Sequence, residues 1–209
     1  MTSAQAADWR QLIDWSFAHG ITICDSQLDQ LRSYLDVLLL WNRKIALVSQ
    51  SDPKQIICKH FADSLFVASH CPDEGRIVDL GSGAGFPGLP IAIARPKARV
   101  CLIESRGKKA SFLEHASQVT ATRNAEILHR RIQSVAHEDG FRASFGVATG
   151  RALTSATQFF ALAGTFLGPG GQTIAMRSLN ESWPLPPDIE EIRYALPDGS
   201  PRRLLIARP

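Results

Sequence analysis

The stretch from Ile77 to Pro90, IVDLGSGAGFPGLP, constrains the fold of this chain more than any other. A short apolar run ends in an acid at Asp79 and passes at once into glycines at 81, 83 and 85, before the turn Gly88-Leu89-Pro90-Ile91-Ala92. That order predicts a buried strand, a tight loop and a helix start. Glycines let such a loop take positive φ and let a ligand approach the backbone without meeting a Cβ, and the N–H groups opening the helix favour a polar or anionic group. A nucleotide-like ligand is therefore expected at the carboxyl end of this strand.

Two cofactor classes compete for the loop. Gly83-x-Gly85-x-x-Gly88 satisfies the fingerprint of dinucleotide-binding oxidoreductases. Asp79-x-Gly81-x-Gly83-x-Gly85 is similar to motif I of class I methyltransferases, which bind S-adenosylmethionine. Glu104 closes the next apolar run, Val100 to Ile103, where a carboxylate would meet ribose hydroxyls. Both classes use such a carboxylate, so it supports nucleoside binding without separating them.

From Arg76 onward, short apolar runs alternate with helical stretches, the pattern of βαβ units around a parallel sheet. Strands are expected near 76–80, 99–104, 124–129, 144–149 and 172–177, with Gly168-Pro169-Gly170-Gly171 as a breaker before the fifth. After a Pro-rich loop at 178–188, the segments 189–196 and 202–207 supply a closing antiparallel pair. Residues 1 to about 70 read as helices instead. Ser26-x-x-Asp29 has the form of a capping box, and Leu28, Leu31, Leu35, Leu38 and Leu39 recur on one face as far as Trp41. Asp52-Pro53 pairs an N-cap with proline at the first helical position, and Ile57, Phe61, Leu65 and Ala68 form the stripe that follows. The expected organisation is a helical cap over 1–70 and one compact core over 71–209, a size that suits one α/β unit with an appendage.

Composition bounds the partners. With 44% hydrophobic and 21% charged residues, the chain has the make-up of a soluble globular protein. A net charge of only +3 requires any nucleic acid to be met by a local basic surface rather than by bulk charge. Cys24, Cys58, Cys71 and Cys101 show neither metal-ligand spacing nor a disulfide framework, and read as reduced thiols of a cytoplasmic protein. No leader pattern or membrane-length apolar run is expected, and no metal.

Taken together, these motifs resemble the RsmG (GidB) family of bacterial 16S ribosomal RNA guanine-N7 methyltransferases, over nearly the whole chain. The resemblance rests on Trp41-Asn42 before Leu47-Val48-Ser49, on His60-x-x-Asp63-Ser64, and on the run from Asp79 to Pro90 with its prolines at 87 and 90. It extends to Glu104-Ser105-x-Gly107-Lys108-Lys109 with Phe112-Leu113, and to Arg151-Ala152. It implies a class I, Rossmann-like methyltransferase fold with a mostly parallel seven-stranded sheet and an N-terminal helical cap. Its cofactor would be S-adenosylmethionine, and its partner 16S ribosomal RNA or an assembling small ribosomal subunit. Cofactor positions implied by the match are Asp79, Gly81, Gly83, Gly85, Phe86, Glu104, Ile132, Gln133 and Arg151. The family usually has an acid where Gln133 stands; a glutamine amide can both accept from the adenine amino group and donate to a ring nitrogen.

A basic rim is expected to meet RNA through Arg43, Lys44, His60, Lys108, Lys109, Arg130, Arg131 and Arg177, the opposing reading being solvated helix faces. For His60 and Asp63, three apart, the alternative is a local helix-stabilising pair. Ala46, Gly146, Arg177 and Ser178 depart from the family pattern and bear on target-side contacts. Guanine N7 has an in-plane lone pair and no hydrogen, so no general base is needed and no catalytic residue is assigned. Other readings are a methyltransferase for another RNA, a protein or a small molecule, an NAD-dependent oxidoreductase, and a non-catalytic RNA-binding factor.

Overall fold

An apolar run without polar alternation predicts a strand covered on both faces. β1 (Glu74–Leu80) meets that expectation: Ile77, Val78, Asp79 and Leu80 are all buried in the computed structural model, which describes residues 3–151, 155–179 and 188–208. The chain enters through α1 (Ser3–Ala18) and α2 (Asp25–Asn42), then a rod made of α3 (Pro53–Gln55), a π-helical turn (Ile56–Phe61) and α4 (Ala62–Ser69). After β1 come α5 (Gly88–Ala94), β2 (Lys97–Glu104), α6 (Gly107–Val119), β3 (Ala125–His129), α7 (Ile132–Val135), β4 (Phe145–Arg151) and α8 (Ala156–Gly164). β5 (Leu167–Ser178), β6 (Ile189–Ala195) and β7 (Pro201–Ala207) complete one sheet of seven strands, in the order β3-β2-β1-β4-β5-β7-β6. β1 to β5 pair parallel, and β7 runs antiparallel between β5 and β6. The chain leaves β1 toward β2 and β3, then returns to β4 on its other side, so the topological switch point lies between β1 and β4.

Each sheet face has its own layer. Ile77, Leu102, Val147, Ile174 and Leu204 pack in one hydrophobic cluster with Leu89 of α5, Leu113 of α6 and, from the N-terminal helices, Leu35, Phe61 and Leu65. Val78, Leu80, Ile103 and Ala175 face the other way, onto Phe159 and Ala163 of α8 and Val135 of α7. Each large side chain buried this way contributes on the order of 1.5–3 kcal/mol. No helix among the described residues is long and apolar enough to cross a membrane.

Three local expectations are revised. The start of α2 is set by Cys24 and Gln27, not by Ser26 and Asp29: the Gln27 carbonyl accepts from Cys24 N–H at 3.0 Å while its amide donates to Ile93 O at 2.9 Å. That second bond ties the cap to the end of α5, and Asp29 is left to pair with Arg32. The helix from Pro53 carries the π turn, which allows Ile56, Ile57 and Phe61 all to be fully buried. Gly168-Pro169-Gly170-Gly171 lies inside β5 rather than before it. Leu167 pairs with Phe145, and the next partners are Val147 and Gln172, so the glycines form an irregularity pressed against the neighbouring strand. A Cβ on Gly168 would lie 3.0 Å from Ala143 O, and one on Gly171 3.0 Å from Phe145 O. Of the Pro-rich loop, residues 180–187 lie outside the described residues, as does Ala152.

Candidate active site

The loop after β1 is stitched to β2 before it turns: Gly81 N–H and Ser82 N–H both donate to Ile103 O, at 2.9 and 3.1 Å. Its glycines serve different ends. Gly83, at φ +58°, has open space where a Cβ would stand, the nearest atoms being Gly81 O at 3.7 Å and Lys109 Nζ at 3.9 Å. Gly85, at φ +89°, has none: a Cβ there would lie 2.6 Å from the Tyr34 hydroxyl and 2.8 Å from Leu89. Tyr34 comes from α2, is fully buried among Phe61, Phe86 and Phe112, and donates a short hydrogen bond to Ala84 O. An N-terminal helix thus pins the loop from beneath.

Asp79 braces the same loop from the other side. Its Oδ2 accepts from Gly88 N–H at 3.1 Å, at the start of α5, while Oδ1 has no hydrogen-bond partner. Complete burial pushes this carboxyl up to about 7, against the opposing pull of the nearby Ser82 hydroxyl, of the bond from Gly88 N–H and of Arg151. Asp79 and Gly85 shape the loop but do not line the space above it.

That space is a cleft of about 670 Å³ over the carboxyl ends of β1, β2, β3 and β4. Gly81, Gly83 and Phe86 form its floor, Glu104 stands at the end of β2, Ile132 and Gln133 follow β3, and Arg151 ends β4. Seven positions that the sequence reading assigned to a cofactor, from different parts of the chain, are thus brought together on one cleft. Glu104 is only 6% exposed; Oε2 accepts from Gly83 N–H at 2.9 Å and Oε1 from Arg106 N–H at 2.7 Å. Each carboxylate oxygen has a further lone pair, so the group can still accept from a diol. Leu47 and Ser82 also line the cleft and were not anticipated, and Arg106 stands beside them.

His60 lies inward of the cleft floor, stacked on Phe86 with ring centroids 5.1 Å apart. Its Nδ1 faces an Arg151 guanidinium N–H and its Nε2 lies 2.8 Å from Gln50 Oε1. An arginine only donates, so Nδ1 accepts and Nε2 carries the proton, donated to Gln50. Burial, reinforced by Arg151, pulls the imidazole down to about 3, and it is neutral at physiological pH. The Arg151 guanidinium also lies over the Phe86 ring, 5.8 Å from its centroid. The local pair expected of His60 and Asp63 does not form: Asp63 accepts a short hydrogen bond from Tyr194 and lies 3.6 Å from Arg202.

The remaining rim residues divide. Lys109 and Arg131 line the cleft, and Arg43, Lys44 and Lys108 are exposed. Arg130 spends both guanidinium arms on Glu138. Arg177, at 6% exposed, is buried in β5 opposite Arg203 of β7 and is no part of an open rim. The Trp41-Asn42 motif acquires a role: Asn42 Oδ1 accepts from Leu47 and Val48 N–H, at 2.9 and 3.0 Å, and so holds the loop that carries Leu47 over the cleft. Tyr34 had a sequence signal, since it falls within the leucine stripe of Leu31, Leu35 and Leu38.

Comparison with known proteins agrees with this geometry. A family model described as GidB, rRNA small subunit methyltransferase G, matches residues 27–184. Proteins named ribosomal RNA small subunit methyltransferase G include one from Caldanaerobacter subterraneus, 31% identical over 90% of this chain and 80% of its own. Another, from Chloroflexus aggregans, is 36% identical over 79% of this chain and 70% of its own. Among solved structures, a SAM dependent methyltransferase from Aquifex aeolicus superposes with a TM-score of 0.55 at 13% identity, covering 75% of this chain and 93% of that one. A predicted O-methyltransferase from Agrobacterium tumefaciens gives 0.53 at 19% identity, over 70% of this chain and 79% of that one. At these identities the structural likeness speaks for the fold alone.

Proposed function

The chain belongs to the rRNA small subunit methyltransferase G family, and on that premise we propose that it methylates N7 of a guanine in 16S ribosomal RNA with S-adenosylmethionine as donor. The observation that carries the cofactor assignment is the open face of Gly83 beside the Glu104 carboxylate, in a cleft at the switch point of the sheet. Gly83 leaves room for a ligand against the backbone, Glu104 can accept from ribose hydroxyls, and Ile132 and Gln133 offer an apolar edge and an amide to an adenine. When bound, S-adenosylmethionine supplies an electrophilic methyl group on a sulfonium.

The rest is positioning by the chain's own residues. Guanine N7 needs no proton removed, and the described residues place no base for one: Glu104 holds the Gly83 and Arg106 N–H groups and keeps its spare lone pairs for the ribose, and both His60 nitrogens are engaged below the floor. Arg151, fixed by His60 and Phe86, presents a planar cation to a carboxylate or a phosphate. Lys109 and Arg131 give the mouth positive charge suited to an RNA backbone. The cysteines all stand as free thiols, which supports a place in the reducing cytoplasm.

The test is transfer of labelled methyl into small-subunit ribosomal RNA, followed by borohydride reduction and aniline treatment. Methylation at N7 gives strand scission at one site; a methylated RNA that resists scission overturns the N7 assignment. Single-turnover rates should be nearly flat from about pH 6.5 to 8.5, because His60 stays neutral throughout. A tenfold rise per pH unit would require a base that this account lacks.

A further inference from the structure

Beside the cleft, a second pocket of about 500 Å³ is lined by Leu40, Trp41, Lys44, Ile45, Lys108 and His115. The two hollows share a wall. Lys108 faces the second and Lys109 the first, and on the loop held by Asn42, Ile45 faces the second and Leu47 the first. The Trp41 indole is fixed from behind by Phe112, edge-on at 5.8 Å, and the exposed His115 ring lies 5.7 Å from it at 37°. Leu40 is 54% exposed at the rim, and Lys44 and Lys108 are both exposed. This combination selects for a ligand with a flat π face and a negative charge. An apolar peptide would leave two ammonium groups facing it without partners, and the donor nucleoside is already provided for in the neighbouring cleft.

We propose that this pocket is a stacking subsite for an unpaired nucleotide of the ribosomal RNA flanking the target, its base against Trp41 and His115 and its phosphate between Lys44 and Lys108. The inference rests on the rRNA methyltransferase reading and extends it to how the substrate is held. Single-stranded RNA is commonly gripped this way, because every base has a π face and stacking tolerates any sequence.

The experiment combines steady-state methylation of small-subunit ribosomal RNA with cross-linking of 4-thiouridine-substituted RNA. His115→Ala, Trp41→Ala and the Lys44→Ala/Lys108→Ala double variant should each raise KM for RNA by roughly fivefold or more. Trp41→Phe should stay near the parent, and the affinity for S-adenosylhomocysteine should be unchanged in all four. Cross-links should map to the peptides carrying Trp41 or His115. Because Trp41 also packs on Phe112, His115→Ala, at an exposed position, guards against misreading a folding defect. The subsite is overturned if His115→Ala and the lysine double variant keep the parental KM. It is also overturned if they lose activity only on the assembled subunit, which would mark the surface as a contact for ribosomal protein. A parent protein that transfers no methyl to ribosomal RNA overturns the functional reading itself, and this inference with it.

Discussion

The sheet has a cleft at each end, and the two differ in what their backbone leaves uncovered. The one at the amino ends of the strands, about 740 Å³, is slightly the larger and is also basic, lined by Arg76, Lys97, Arg99 and Arg123. Its polar groups are largely spent on the protein itself. Asn124 donates to the carbonyls of Ala92, Arg95 and Ala98 at 2.9–3.1 Å, Arg76 donates to Gly140 O and lies over Phe145, and Lys97 pairs with Glu74. At the carboxyl ends, the loop that makes the floor turns with three glycines at positive φ, and a carboxylate stands at its edge with acceptor capacity to spare. Volume and positive charge are common to both ends; uncovered backbone beside an acceptor is found at one.

The largest effects should come from the glycines. Gly85→Val should cost roughly 2–5 kcal/mol, the sum of overpacking against Tyr34 and Leu89 and a side chain at positive φ, and should be seen as a much lowered melting temperature. Gly83→Val, which bears the positive-φ strain of about 1–2 kcal/mol without the overpacking, should leave a folded protein, measured by circular dichroism, that binds S-adenosylhomocysteine at least about a hundredfold more weakly in calorimetry. Gly146→Ala, whose Cβ would find Arg76 O at 3.7 Å near the amino end, should do neither. Equal loss of binding in the last two would erase the distinction between the ends.

Next comes the buried brace. The Asp79 carboxyl is raised in the folded state, so its contribution to stability is full below about pH 4 and is lost as pH rises to about 7. Asp79→Asn removes that titration while keeping an acceptor for Gly88 N–H. The stability of the variant relative to the parent should therefore climb, on the order of 4 kcal/mol, between about pH 4 and 7, and level off above. A pH-independent difference in urea unfolding would show that Asp79 does not carry the shift.

Smaller again is Glu104→Gln. The amide can satisfy only one of the two N–H groups its carboxylate now accepts, and binding of S-adenosylhomocysteine should weaken about tenfold. Glu126→Gln, at the amino-end cleft, should leave it unchanged. The smallest effect sharpens the comparison on the RNA side. Arg131→Ala should reduce the slope of log affinity against log salt for RNA by about 0.7, the share of one phosphate contact on a single strand. Arg130→Ala should reduce it less, since Glu138 already holds that guanidinium, and Arg99→Ala not at all. Equal slopes for Arg131 and Arg99 variants would mean that RNA wraps both ends.

What could be read from the sequence follows from which interactions are local. Gly81 to Gly88 and the strand before them are backbone chemistry written in consecutive residues, and Glu104 is fixed by its place at the end of the next apolar run. The Tyr34 clamp and the pairing of His60 with Arg151 join residues 50 and 91 positions apart; the leucine stripe puts Tyr34 on a buried face, but no periodicity announces either partner. Arg177 reads as a rim cation because it keeps a positive charge where the family has lysine; its burial depends on β7 pairing alongside β5. Gly168 to Gly171 read as a boundary because glycine and proline usually end strands, whereas here the missing Cβ atoms let β5 kink against β4 without leaving it.

The π turn at Ile56–Phe61 gives this helix a tolerance of length change that its composition hides. Each of its hydrogen-bonded rings holds one residue more than an α-helical ring. A gene one codon shorter here would still encode a continuous helix, and a better-bonded one. Because the wide turn is what takes up the extra residue, the Asp52 cap and the Gln50 partner of His60 would keep nearly their phase against α4, whereas the same deletion inside α4 would rotate everything on its amino side by about 100°. Among length variants of this rod, the place of the lost residue, and not helix stability, would decide which ones keep His60 under Arg151.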